Sequence, residues 1–228
     1  MQKGLDYLIQ KYSVDAKAVI NGVCTANIDG LDYPILSWES ERRFIELKNL
    51  VKNRLGNMST YRIGCTDKKS KDIFDLLARE IGILEFTLDS KIIEIFAISG
   101  ENTLNCIAET ENGCICTIEL ATTLSDNDTP VDKHEIITDK GVACDRVVDT
   151  QVPQESIYVF GDKKITYTDT DAELFGYTDR EISTIRKVFS LSKDKNERNE
   201  SIIKMSHINK VVESAKKSLA TLENVEIK

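Results

Sequence analysis

From Lys91 the apolar residues of this chain recur at every second position, and apart from turns they do so until about Asp169. Such alternation sends side chains to two opposite faces of an extended backbone, the signature of half-buried strands. In "TLNCIAETENGCICTIELATT" the pair Asn112-Gly113 separates two alternating runs, the strongest short-range signal for a hairpin. Further turns follow at Lys140-Gly141 in "HEIITDKGVACDRVV" and at Gly161-Asp162 in "SIYVFGDKKITYTD". Turns this short leave no length for a crossover, so the sheet is largely antiparallel. A two-residue loop at Asn112-Gly113 pairs Glu111 with Cys114. That register sets Ile107 beside Cys116 and Ile118 on one face, and Leu104, Cys106 and Ala108 beside Ile115 on the other. With apolar residues on both faces, one packs on helices and the other calls for a partner, so a homo-oligomer through the sheet is expected.

The remainder has helical period. A helix spans roughly Gln2 to Lys11, and one strand covers "DAKAVINGVCTANI" up to the turn at Asp29-Gly30. After a short strand, "YPILSW", the helix "ESERRFIELKNLVKNRLG" carries the stripe Phe44, Leu47, Leu50 and Val51 and closes at Gly56. The strand "MSTYRIGCT" then leads to the helix "DIFDLLAREIGILEF", with Ile73, Leu76, Leu77, Ile81 and Leu84 on one side. At the end come "DREISTIRKVFSL" and "ESIIKMSHINKVVESAKKSLATL", the latter with Ile202, Met205, Ile208, Val212, Ala215 and Leu219 in one stripe. The fold class is α+β: a largely antiparallel open sheet with helices packed on one face. Residues 1–30 form a short helix-strand segment ahead of one domain over residues 31–228.

Composition removes several functions. A net charge of −8 with an isoelectric point near 5.0 argues against nucleic acid, which needs a clustered basic surface. No run approaches the ~20 apolar residues of a membrane span, and "MQKGLDYLIQKY" lacks the features of a signal peptide. A soluble, cytoplasmic protein is expected. The six cysteines show no C-x-x-C spacing and the chain has only His134 and His207, so no metal is expected and the thiols read as small buried hydrophobes.

Three stretches together resemble the C-terminal domain of the Gfo/Idh/MocA family, the glucose–fructose oxidoreductase and inositol dehydrogenase relatives. They are "RRFIELKNLVKNRLGNMSTYRI", "FDLLAREIGILEFTLDSKIIEIFAIS" and "HINKVVESAKKSLATLENVEI". The resemblance runs from about Trp38 to Ile227 and implies the family's substrate and oligomerisation domain. It also implies what this chain lacks. The family's dinucleotide domain needs a G-x-G-x-x-G turn, but the closest of the eleven glycines here lie eight residues apart, and only about thirty residues precede the matching region. The family's Lys-Pro is missing, since Tyr33, Thr129 and Val152 precede the three prolines. On the helix that carries D-x-G-x-H-x-x-D in the family, Asp75 is followed by Leu77, Arg79 and Gly82. Arginine stays protonated and cannot replace a histidine base.

The resemblance and these departures imply a non-catalytic protein that self-associates through its sheet, with no cofactor. One alternative is half of an NAD- or NADP-dependent sugar or polyol oxidoreductase, completed by a Rossmann domain on another chain. A second is a sugar or sugar-acid binding module. It would use Arg42, Arg43, Arg62 and Arg79 on the anion, with Tyr61 or Trp38 as a stacking platform. Arg79 itself is expected to pair with Asp75 or to reach solvent.

Overall fold

The computed structural model describes residues 1–53, 58–145, 156–160, 165–168 and 171–228. The expected cap at Gly56 and turn at Gly161-Asp162 lie outside them. The chain divides into two compact units, residues 1–45 with 170–207 and residues 46–169 with 208–228.

In the first unit, α1 (Gln2–Lys11) is followed by an antiparallel meander of β1 (Ala18–Asn21), β2 (Thr25–Ile28) and β3 (Leu31–Pro34). The single strand expected over residues 15–28 is thus a hairpin, reversed at Gly22 with φ of 75°. The "YPILSW" stretch is also divided, into the end of β3 and a 3-10 turn at Ser37–Ser40. The helix α4 (Asp179–Lys193) starts with a full capping box, in which the Thr178 and Glu181 side chains satisfy each other's backbone N–H groups. Leu5, Leu8, Ala26, Ile28, Leu174, Ile185, Val188 and Leu191 close this unit's core. Charges are buried here too. Lys187 Nζ lies 2.6 Å from Glu39 and 2.5 Å from Glu197, and Arg198 donates to the carbonyls of Leu191 and Ser192 at the end of α4.

The second unit is built on a nine-stranded sheet. In chain order its strands are β4 (Met58–Lys68), β5 (Ile92–Gly100), β6 (Thr103–Thr110), β7 (Ile115–Leu124), β8 (Val131–Thr138), β9 (Gly141–Cys144), β10 (Ser156–Phe160), β11 (Ile165–Thr168) and β12 (Val225–Glu226). Across the sheet they run β11-β10-β9-β8-β4-β7-β6-β5-β12, and every pair is antiparallel except β4 with β7. The helix α3 (Ile73–Leu88), capped by the Asp72 carboxylate on the Phe74 N–H, covers one face. Beside it lies the 208–221 half of α5 (Lys195–Thr221), whose Ser218 hydroxyl accepts from the Ala97 N–H on β5. The class is α+β, as expected. One helix of 27 residues replaces the expected later start near residue 200. Its buried face runs through Ser201, Ile208, Val211, Val212, Ala215 and Ser218, while Ile202 is exposed.

The β6–β7 hairpin differs from expectation by one residue. Its loop has three residues, Glu111 to Gly113: the Gly113 N–H bonds to the Thr110 carbonyl at 2.8 Å and the Thr110 N–H to the Cys114 carbonyl at 3.1 Å. Gly113 at φ 77° supplies the left-handed residue such a loop needs. Cys106 therefore pairs with Ile118 and Ala108 with Cys116. A slip of one residue exchanges the faces of a whole strand. Leu104, Cys106 and Ala108 now share the buried face with Cys116, Ile118 and Leu120, and Ile107 and Ile115 lie on the other.

This register has a chemical readout. Cys24 is the one exposed thiol among the six, and Cys65, Cys106, Cys114, Cys116 and Cys144 are buried. The folded protein should react rapidly with one equivalent of an aromatic disulfide reagent, and with six after denaturation. The two-residue loop puts Cys106 and Cys116 on opposite faces, so a second fast thiol in the folded state would contradict the observed pairing.

Candidate functional site

The helix α3 packs on the inner faces of β4 and β8, and it turns a carboxylate into that interface. Glu80 follows the apolar positions Leu76 and Leu77 by a helical turn and is fully buried. Beneath it stands His134, at an inward position of β8 and also fully buried. His134 Nε2 lies 2.8 Å from Glu80 Oε2, and Nδ1 lies 2.5 Å from Oδ2 of Asp145, which follows β9. The other Asp145 oxygen accepts the His134 backbone N–H at 2.7 Å. Arg79, on the preceding position of α3, bonds Glu80 through one terminal nitrogen and Asp132 through the other, the latter at 3.1 Å. Asp132 is the inward residue two before His134 on the same strand.

Three carboxylates and two nitrogen bases thus form one cluster linking a helix to two neighbouring strands. Burial alone would depress the His134 pKa, but Asp145 and then Glu80 override it and raise it to about 10. Burial would raise Glu80; Arg79 and His134 instead hold its carboxyl below the usual range. The Cys65 thiol, on β4 opposite Asp132, is pushed up by burial with help from the Glu80 and Asp132 charges. An imidazolium clamped between two carboxylates and closed to solvent holds a helix in place. A general base has to reach substrate, and His134 is fully buried.

The residues singled out from sequence fall in different places. Arg79 pairs with Glu80 and Asp132 rather than with Asp75, which is exposed in the first turn of α3. Leu77 and Gly82 are buried in the packing of the helix. Tyr61 is fully buried, with the Thr87 hydroxyl 3.2 Å from its own, and presents no stacking surface. Arg62, next to it on β4, points to the opposite face and reaches Glu135. In the first unit, Trp38 is buried and Arg43 bonds Glu41 while lying over the Phe44 ring; Arg42 is exposed. Arg79, Arg62 and Tyr61 do not converge on a cleft.

From sequence, His134 takes no site role, and Glu80, Asp132 and Asp145 are not singled out. The trace was there: two polar residues, Asp132 and His134, precede Ile136 at inward positions of an alternating strand. Asp145 lies only eleven residues on, across the β8–β9 hairpin; what was out of reach is the convergence with Glu80, fifty-four residues away on α3.

Comparison with solved structures identifies the fold. It is shared with oxidoreductases at low sequence identity. Levoglucosan dehydrogenase in complex with NADH and L-sorbose superposes with a TM-score of 0.67 at 10% identity, over 85% of this chain and 65% of that one. An oxidoreductase domain protein from Kribbella flavida gives 0.64 at 11%, over 85% and 64%. An oxidoreductase from Pseudomonas syringae gives 0.64 at 12%, over 85% and 63%. This chain spans about 64% of the length of such relatives. Its fold is that of the C-terminal domain of Gfo/Idh/MocA-type oxidoreductases. No family model and no curated protein matches the sequence, and among the described residues no helix is long and apolar enough to cross a membrane.

The clamp makes stability depend on pH. Unfolded histidine titrates near 6.5 and folded His134 near 10, so its contribution is complete below about pH 6.5 and is lost as the pH rises toward 10. The depressed Glu80 carboxyl sets the acid limit, its contribution fading as the pH falls through its folded value. In chelator-containing buffer, His134→Gln should cost roughly 3–5 kcal/mol at pH 6. The gap between wild type and variant should narrow as the pH approaches 10 in urea titrations. A gap constant from pH 6 to 10 would contradict the clamp.

Proposed function

We propose that this chain is a non-catalytic protein built on the oxidoreductase-type substrate and oligomerisation domain, and that it self-associates through the open face of its large sheet. The observation that carries the reading is Arg79. It stands where the family's proton-handling histidine would, and both ends of its guanidinium are taken by Glu80 and Asp132. The helix keeps its packing and replaces a base with an ion pair.

Self-association rests on the face opposite α3. There Ile98, Ile107, Ile115 and Val131 are between 41% and 52% exposed. Phe96, Ile107 and Ile115, with Glu94, Glu109 and Asn224, also line a shallow groove of about 320 Å³. Exposed apolar surface of this kind, rimmed by carboxylates and amides, favours a partner surface. A second copy of the chain supplies a partner with a matching patch, related by a two-fold axis.

The relatives named above include one solved with NADH, so the enzyme reading has a direct test. Calorimetry with NAD and NADP on the isolated chain should show no binding tighter than about 100 μM, because no glycine turn is present to receive the pyrophosphate. Tighter binding would favour an oxidoreductase half awaiting its other domain. Light scattering should report a dimer or larger at tens of micromolar, and Ile107→Lys with Ile115→Lys should shift it to monomer without lowering the melting temperature. A wild-type monomer would remove the self-association reading.

A further inference from the structure

We propose that Asp132, His134 and Asp145 form a buried binding site for one divalent ion of the zinc type. Each residue offers one donor atom, and the three lie within 4.8 Å of one another, all of them buried. An imidazole and two carboxylates are a donor set that zinc and cobalt accept, whereas magnesium prefers oxygen alone and keeps its waters.

The surroundings suit a metal. Glu80 Oε2 lies 2.8 Å from His134 Nε2. A carboxylate there accepts the Nε2–H hydrogen bond and leaves Nδ1 directed at Asp145, which is how a metal-bound imidazole is ordinarily held. Arg79 ties Glu80, the outer partner, to Asp132, a ligand. One shift is required: Nδ1 and Asp145 Oδ2, now 2.5 Å apart, must separate to about 3.3 Å for two ligands at zinc distances. That is less than an ångström, in a carboxylate that follows a strand end.

Charge points the same way, because Glu80, Asp132 and Asp145 set three carboxylates around the imidazole, a surrounding that favours a bound cation. Metal and proton compete for the same nitrogen.

The test uses the full chain stripped with a chelator and then titrated with Co²⁺ and Zn²⁺. The expected result is one equivalent of Co²⁺ with the visible bands of a low-coordinate site, displacement by Zn²⁺, and a higher melting temperature with either ion. Asp132→Asn, His134→Gln and Asp145→Asn should each lose the bands. Glu80→Gln should weaken binding by roughly 10–100-fold. Cys24→Ser should leave binding unchanged, since Cys24 is the exposed thiol that could otherwise capture the ion. Absence of Co²⁺ bands and of thermal stabilisation in the wild type would overturn the proposal, whether or not the ligand variants fold. So would bands that survive Asp132→Asn or vanish in Cys24→Ser.

Discussion

Three carboxylates are buried where α3 meets the sheet, and their charge governs the middle of the large unit. An isolated carboxylate in such a place would be strongly disfavoured. Glu80 and Asp132 stay because Arg79 bridges them, and Glu80 and Asp145 because His134 lies between them. Removing one member leaves its partners uncompensated, so the cluster fixes how α3 lies on β8 and how the end of β9 lies beside it. The first unit follows the same rule on a smaller scale, with Lys187 held between Glu39 and Glu197.

Much of the fold was legible in the sequence because it depends on local periodicity. The period-two run after Lys91 gave an antiparallel sheet, and the stripes from Phe44 to Leu50 and from Leu76 to Leu84 gave α2 (Arg42–Asn53) and α3. The misread elements turned on single residues. Gly22 split one expected strand into two, and Gly113 served as the left-handed residue of a three-residue loop rather than the second of a two-residue one. That one-residue difference collected Leu104, Cys106, Ala108, Cys116 and Ile118 on the buried face. The parallel pairing of β4 with β7 was also invisible, since no local pattern records which strand a distant one joins.

Of the site, the sequence offered only departures from the pattern of the family it resembles, at Leu77, Arg79 and Gly82, and not what Arg79 contacts. Its partners, Glu80 beside it and Asp132 across the interface, are set by tertiary packing. His134 was one of two histidines in the chain, and its inward place beside Asp132 on an alternating strand was the one local sign of the cluster. The helix α3 is bound to the sheet by ions, and the apolar residues left exposed lie on the opposite face. The two faces of one sheet therefore differ: one holds the helix, and the other leaves Ile98, Ile107, Ile115 and Val131 exposed.

The central claim is that Glu80 and His134 act as one unit, and a double-mutant cycle measures that directly. Urea unfolding of Glu80→Gln, His134→Gln and the double variant in chelator-containing buffer at pH 6 gives the coupling energy free of each residue's other contacts. The account predicts coupling of about 2–3 kcal/mol, near the upper end for residues in one buried network, with the double variant much more stable than the sum of the single losses implies. Additive losses, within about 0.5 kcal/mol, would show that the two residues are merely neighbours and would contradict it.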